Sequence, residues 1–134
     1  MNLFTPAEVA KNYIATEKAK VNTPVSKMFL LAILAGAFIA VGGVGATTVA
    51  VSVPLASVGK FAGACVFPGG LSMVLLAGSE LFTGNTLLVI PLLEKEISPA
   101  GMLKNWVVVD LGNIVGGFLI AAGIVYSHQV SLFG

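Results

Sequence analysis

Gly78-Ser79-Glu80-Leu81-Phe82-Thr83-Gly84-Asn85-Thr86 is a polar patch inside an otherwise apolar run over residues 61–93, and Glu80 is the only charge in that run. One bilayer crossing takes about 20 apolar residues. The run is therefore too long for one straight span and too short for two. Gly78 and Gly84 bracket the patch, so the chain is expected to unwind between them. Irregular backbone at membrane depth survives only where protein covers it or where it lines a cavity. A broken helix with polar groups near the midplane is a pointer to a transport site.

The rest of the chain agrees with a membrane protein. Hydrophobic residues make up 57% and charged residues 10% of 134 residues, and mean hydropathy is +0.99. Soluble domains carry about 25% charged residues. Sixteen glycines suit helices that approach closely in lipid. Net charge is +1 and every cation is a lysine, which gives no basic patch for nucleic acid. Cys65 is the only cysteine; a disulfide framework is excluded, and its apolar flanks suggest a small core residue. The first 22 residues lack the apolar core of a cleavable signal peptide. No catalytic constellation, metal-ligand cluster or cofactor motif is apparent.

Residues 1–23 read as an amphipathic interfacial helix and linker. Thr5 is a candidate N-cap, Pro6 suits the first helical position, and Glu8 completes a capping box. Val9, Tyr13 and Ile14 share a face expected to lie on the membrane surface. Residues 24–134 read as a three-segment bundle: a first span near 24–53, a broken second near 58–93 and a third near 100–126. Pro54 and Ser57 mark a turn, and Pro68-Gly69-Gly70 predicts a kink. Lys11, Lys18, Lys20 and Lys27 precede the first span, and Lys95 and Lys104 flank the loop at 94–99. The positive-inside rule then puts the N-terminus in the cytoplasm and residues 131–134 outside. An all-α, multi-pass protein of the cell membrane is the expected class.

Within the patch, a half-helix starting near Asn85 would aim unpaired N–H groups at the midplane. Thr83 and Asn85 can donate hydrogen bonds to an anion. Glu80 is read as a loop holder whose oxygens accept backbone N–H groups; the alternative is a proton carrier. Asp110 and Asn113 lie three residues apart in the third span. Gly112 and Gly116 form a small-xxx-small pair. His128, at the end of that span, reads as interfacial.

The stretch Leu75-Leu76-Ala77-Gly78-Ser79-Glu80-Leu81-Phe82-Thr83-Gly84 resembles the first signature of the formate/nitrite transporter family. Asn105-Trp106 and Leu111-Gly112-Asn113-Ile114-Val115-Gly116 resemble that family's third span. The resemblance implies one half of an aquaporin-like inverted-repeat bundle that assembles as a homopentamer. The other half, with a second broken helix and a central histidine and lysine, is not matched within these residues. The resemblance assigns Phe67, Leu71, Leu81 and Phe82 to the pore constriction and Thr83 to substrate contact. Gly78, Ser79, Glu80, Gly84 and Asn113 support the loop. Formate, nitrite and hydrosulfide are the candidate substrates, and no enzymatic activity or cofactor is implied. A proteolipid-like ring subunit carrying H+ or Na+ on Glu80 is the alternative, and a poreless accessory protein a third reading.

Overall fold

The structure, a computed structural model, describes residues 3–132. The expected position of 131–134 therefore falls partly outside the described residues. Helix α1 covers Pro6–Val21, α2 Val25–Ser52, α3 Ala56–Val66 and α4 Pro68–Ala77. After the break come α5 (Phe82–Asn85), a 3₁₀ turn (Thr86–Leu88) and α6 (Val89–Leu93). Helix α7 (Pro99–Tyr126) and a final 3₁₀ turn (Gln129–Leu132) close the chain. Among the described residues, three helical stretches are long and apolar enough to cross a membrane: Val25–Ser52, Ala56–Ala77 and Pro99–Tyr126.

Helix α2 is the centre of the bundle, packing on α7 along one side and on α3 and α4 along the other. Small residues decide that closeness. A Cβ added to Gly116 would collide with the Ile33 carbonyl and the Ala37 backbone, so two helix backbones nearly touch there. Gly42 and Gly70 meet in the same way between α2 and α4. In lipid such contacts replace the hydrophobic drive that water gives soluble helices. The second span holds no chain reversal at Pro68. Phe67 keeps right-handed helical geometry, and Pro68 occupies the first position of α4, where its missing N–H costs nothing extra.

Helix α1 packs along the bundle. Its N-terminus forms the anticipated capping box, with the Thr5 N–H donating to Glu8 Oε2 at 2.8 Å. The Thr5 backbone N–H is also what holds the Glu8 carboxyl below its ordinary pKa. However, Val9 is exposed, whereas Glu17 and Val21 are buried. The helix docks on the bundle, against α7 and the segments after the break. Val21 joins Leu88 and Met102 in one core cluster, and Met28, Ala32 and Val109 form another. Of the face read as apolar, Tyr13 and Ile14 are half-buried and Val9 is exposed, and the docked side also carries Glu17 and Lys20. Cys65 is likewise exposed and not a core residue.

Candidate functional site

The break begins with Gly78, the C-cap of α4, at φ +60°. Ser79 N–H donates to the Val74 carbonyl at 3.0 Å and Gly78 N–H to that of Leu75 at 3.3 Å. This is a Schellman ending, which needs a left-handed residue that glycine supplies without strain. Residues 79–81 are non-helical. Their backbone polar groups find partners on neighbouring spans. Glu80 N–H donates to the Leu31 carbonyl at 3.3 Å. Asn113 adds a clamp: Nδ2 donates to the Glu80 carbonyl at 2.9 Å and to the Ala32 carbonyl at 2.8 Å, and Oδ1 accepts from Phe82 N–H at 2.9 Å. Asn113 stands midway along α7, so the break lies level with the middle of that membrane-capable helix.

The half-helix after the break starts at Phe82, three residues before the expected start at Asn85. Its first-turn N–H groups at Thr83 and Gly84 have no acceptor among the described residues, as expected at a helix start. They border a cavity of about 330 Å³ lined by Leu71, Leu75, Ser79, Leu81, Thr83 and others. The Thr83 side chain is exposed there. Its carbonyl accepts from the Thr86 hydroxyl at 2.7 Å, and its own hydroxyl is uncommitted among the described residues.

The predicted site residues divide. Leu71, Leu81, Thr83, Gly84 and Asn85 meet around that cavity, while Phe67 lines a second one towards the far end of the bundle. Phe82 turns inward: its ring meets Trp106 edge to face at 6.1 Å and packs against the Met28–Ala32–Val109 cluster. Asn85 is fully buried. Its Nδ2 donates to Glu80 Oε2 at 2.7 Å and to Asn105 Oδ1 at 2.9 Å, and its Oδ1 accepts from Lys20 Nζ at 3.0 Å. Its amide is fully used, so it has no spare donor for a substrate. The expected bonds from loop N–H groups to the Glu80 carboxylate are absent among the described residues; it accepts the Asn85 side-chain amide instead.

Four further residues belong to this network and were not singled out for it. Lys20 Nζ lies 2.8 Å from Glu17 Oε1 and 3.9 Å from Glu80 Oε2. Glu17 is fully buried, and neither of its oxygens has a well-aligned donor. The Trp106 indole N–H donates to the Asn85 carbonyl at 2.8 Å, and the Tyr13 hydroxyl to that of Gly84 at 3.1 Å. Burial, then the neighbouring Glu17 charge, pushes the Tyr13 phenol up, so it stays a neutral donor. The spacing Asn105, Val109, Asn113 puts two amides on one helix face, and Glu17 and Lys20 are an i,i+3 pair. Those were the sequence signals available for the cluster.

A Gly-capped break, held by amides from another span, beside a cavity with a free hydroxyl is the arrangement the signature sequence builds. A family model described as formate/nitrite transporter matches residues 7–133. The chain belongs to that family. It is 40% identical over 124 residues to a "Probable formate transporter" of Methanothermobacter thermautotrophicus, covering 87% of this chain and 44% of that protein. It is 40% identical over 128 residues to "Formate channel FocA" of Haemophilus influenzae, covering 94% and 45%. An "Uncharacterized transporter YrhG" of Bacillus subtilis is 35% identical over 130 residues, covering 95% and 48%. The chain thus spans less than half the length of these curated relatives. Family membership, with three membrane-capable helices, makes it a membrane protein and leaves the ring-subunit reading of Glu80 without support.

Proposed function

We propose that this chain supplies the first half of a pore for small monovalent anions, with formate, nitrite and hydrosulfide as candidate substrates. It acts in transport and catalyses no reaction. Its three spans form half of an aquaporin-like inverted-repeat bundle. A second half of the same protein completes the path, and five copies assemble in the cell membrane. The lysine distribution supports a cytoplasmic N-terminus.

The observation that carries this reading is the run from Phe67 through Leu71 and Leu75 to Thr83. The first three follow one another a helical turn apart, so they share a face. That face borders both cavities and ends on the uncommitted Thr83 hydroxyl. An anion entering an apolar slit loses hydration, which is costly. The Thr83 hydroxyl and the first-turn N–H groups of Thr83 and Gly84 offset part of that loss. Glu80 does not oppose the anion openly: it is buried, bonded to Asn85, and near the Lys20 ammonium.

Flux through liposomes holding the full-length protein tests the reading. Leu71→Ala widens the apolar slit, so acetate flux should rise relative to formate. Thr83→Val keeps the shape and removes the donor, so formate and nitrite flux should fall without admitting larger anions. Unchanged ratios and rates in both variants would remove these residues from the path.

A further inference from the structure

Lys60 lies in the first half of α3 and is exposed. It forms no ion pair among the described residues. It borders the cavity of about 570 Å³ that also has Phe67 on its wall. The rest of that wall is small and apolar, as at Ala46, Ala50 and Ala64, except for Thr47. The Thr47 hydroxyl is spent on the Gly43 carbonyl at 2.8 Å. Among the described residues, the Lys60 ammonium is therefore the one side-chain donor this wall has left for a ligand.

Its position relative to the slit is set by the helix. Lys60 precedes Phe67 by two helical turns, so the two stand on nearly the same side, and the backbone stays helical through Phe67 into α4. At about 1.5 Å per residue, Lys60 stands roughly 10 Å beyond Phe67 and roughly 16 Å beyond Leu71, on the side away from the break. No Asp or Glu is among the described residues lining that cavity. None of the six acidic residues lies in α3 or α4, in α2, or in α7 after Asp110. The field of this half at that end is therefore positive and set by Lys60. Two opposite unit charges about 7 Å apart in water attract by about RT, a roughly threefold rise in local anion concentration. Apolar walls of low dielectric focus the field and strengthen it. An ammonium this far outside the slit acts on arrival of the anion and not on its passage.

We propose that Lys60 is an anion-capture residue at this mouth of the pore, drawing small anions into the apolar cavity ahead of Phe67 and Leu71. This rests on the pore reading above and adds to it a residue outside the slit, one that sets half-saturation and not maximal flux.

Formate entry into liposomes holding the full-length protein, measured from the Lys60 side, tests it. Lys60→Met should raise the half-saturating formate concentration roughly three- to tenfold and leave saturating flux unchanged; Lys60→Arg should behave as wild type. Raising ionic strength from about 0.01 M to about 0.15 M should weaken capture in the wild type more than in Lys60→Met. Charge is separated from shape in Lys60→Cys, in a background without other cysteines, assembled first and then treated with impermeant methanethiosulfonates. A trimethylammonium adduct should restore capture, and a sulfonate adduct should weaken it further. Half-saturation that ignores both adducts, while Leu71→Ala still shifts the ratio of acetate to formate flux, would place Lys60 against lipid headgroups and overturn the capture role but not the pore. A fall in saturating flux at unchanged half-saturation would overturn it as well. If Leu71→Ala and Thr83→Val are also without effect, the pore reading fails, and this role with it.

Discussion

Asn113→Ala should collapse the break without touching the cavity wall. Asn113 makes three hydrogen bonds, two of them at the break: to the Glu80 carbonyl at 2.9 Å and from Phe82 N–H, which opens the half-helix, at 2.9 Å. The third, to the Ala32 carbonyl, reaches an oxygen of helix α2. Truncation leaves one donor and one acceptor of the break unsatisfied at membrane depth. Each such orphan costs about 1–3 kcal/mol, so the expected loss is about 2–6 kcal/mol. Reversible denaturation of the full-length protein in detergent, followed by helical content, reads this loss, and Asn113→Asp separates the parts. The aspartate keeps an acceptor for Phe82 but no donor for Glu80, so it should recover only part of the stability. A loss below about 1 kcal/mol for Asn113→Ala would refute the reasoning, because it would mean that the break satisfies its own backbone.

Glu80→Ala should destabilise by about 1–3 kcal/mol, since a buried Asn85 N–H loses its acceptor; Glu80→Gln keeps an acceptor and should recover most of it in the same denaturation assay. A Glu80→Ala variant of normal stability but without proton-coupled flux would instead revive the carrier role. Gly116→Ala drives a methyl into the Ile33 carbonyl of α2, and overpacking of this kind costs about 1–3 kcal/mol, read as a lowered thermal midpoint. The Lys18 ammonium, by hydrogen bond and by charge, holds the Glu96 carboxyl below its usual 4.5. A depressed carboxyl contributes above its unfolded pKa and loses that contribution as pH falls through the folded one. The contact between α1 and the loop at 94–99 should therefore loosen only below about pH 4.5, and Lys18→Ala should abolish that dependence in hydrogen exchange of α1. High salt should weaken the same contact at neutral pH, because both partners are about half exposed.

Much of the architecture was legible in one dimension. The spans announce themselves by length and apolarity, because a bilayer core imposes a fixed crossing distance. The break announces itself because two glycines and a carboxylate cannot sit in a straight lipid-facing helix. Thr5, Pro6 and Glu8 marked the start of α1 through contacts within one turn. Every one of these signals is local or compositional.

The tertiary structure decided which groups meet. Sequence places Asn113 on a helix face but cannot say that its amide reaches Glu80 and Phe82, 33 and 31 residues earlier. It marks Glu80 as out of place without showing that Asn85 and Lys20 answer it. It offers Glu17 and Lys20 as an i,i+3 pair without showing that Lys20 also reaches Asn85 and comes near Glu80. It does not show that the Phe82 ring meets Trp106 edge to face and packs against the Met28–Ala32–Val109 cluster. Spacing along a chain fixes which side chains share a face. Which face is covered, and by what, depends on long-range packing, and so does the pairing of each buried polar group.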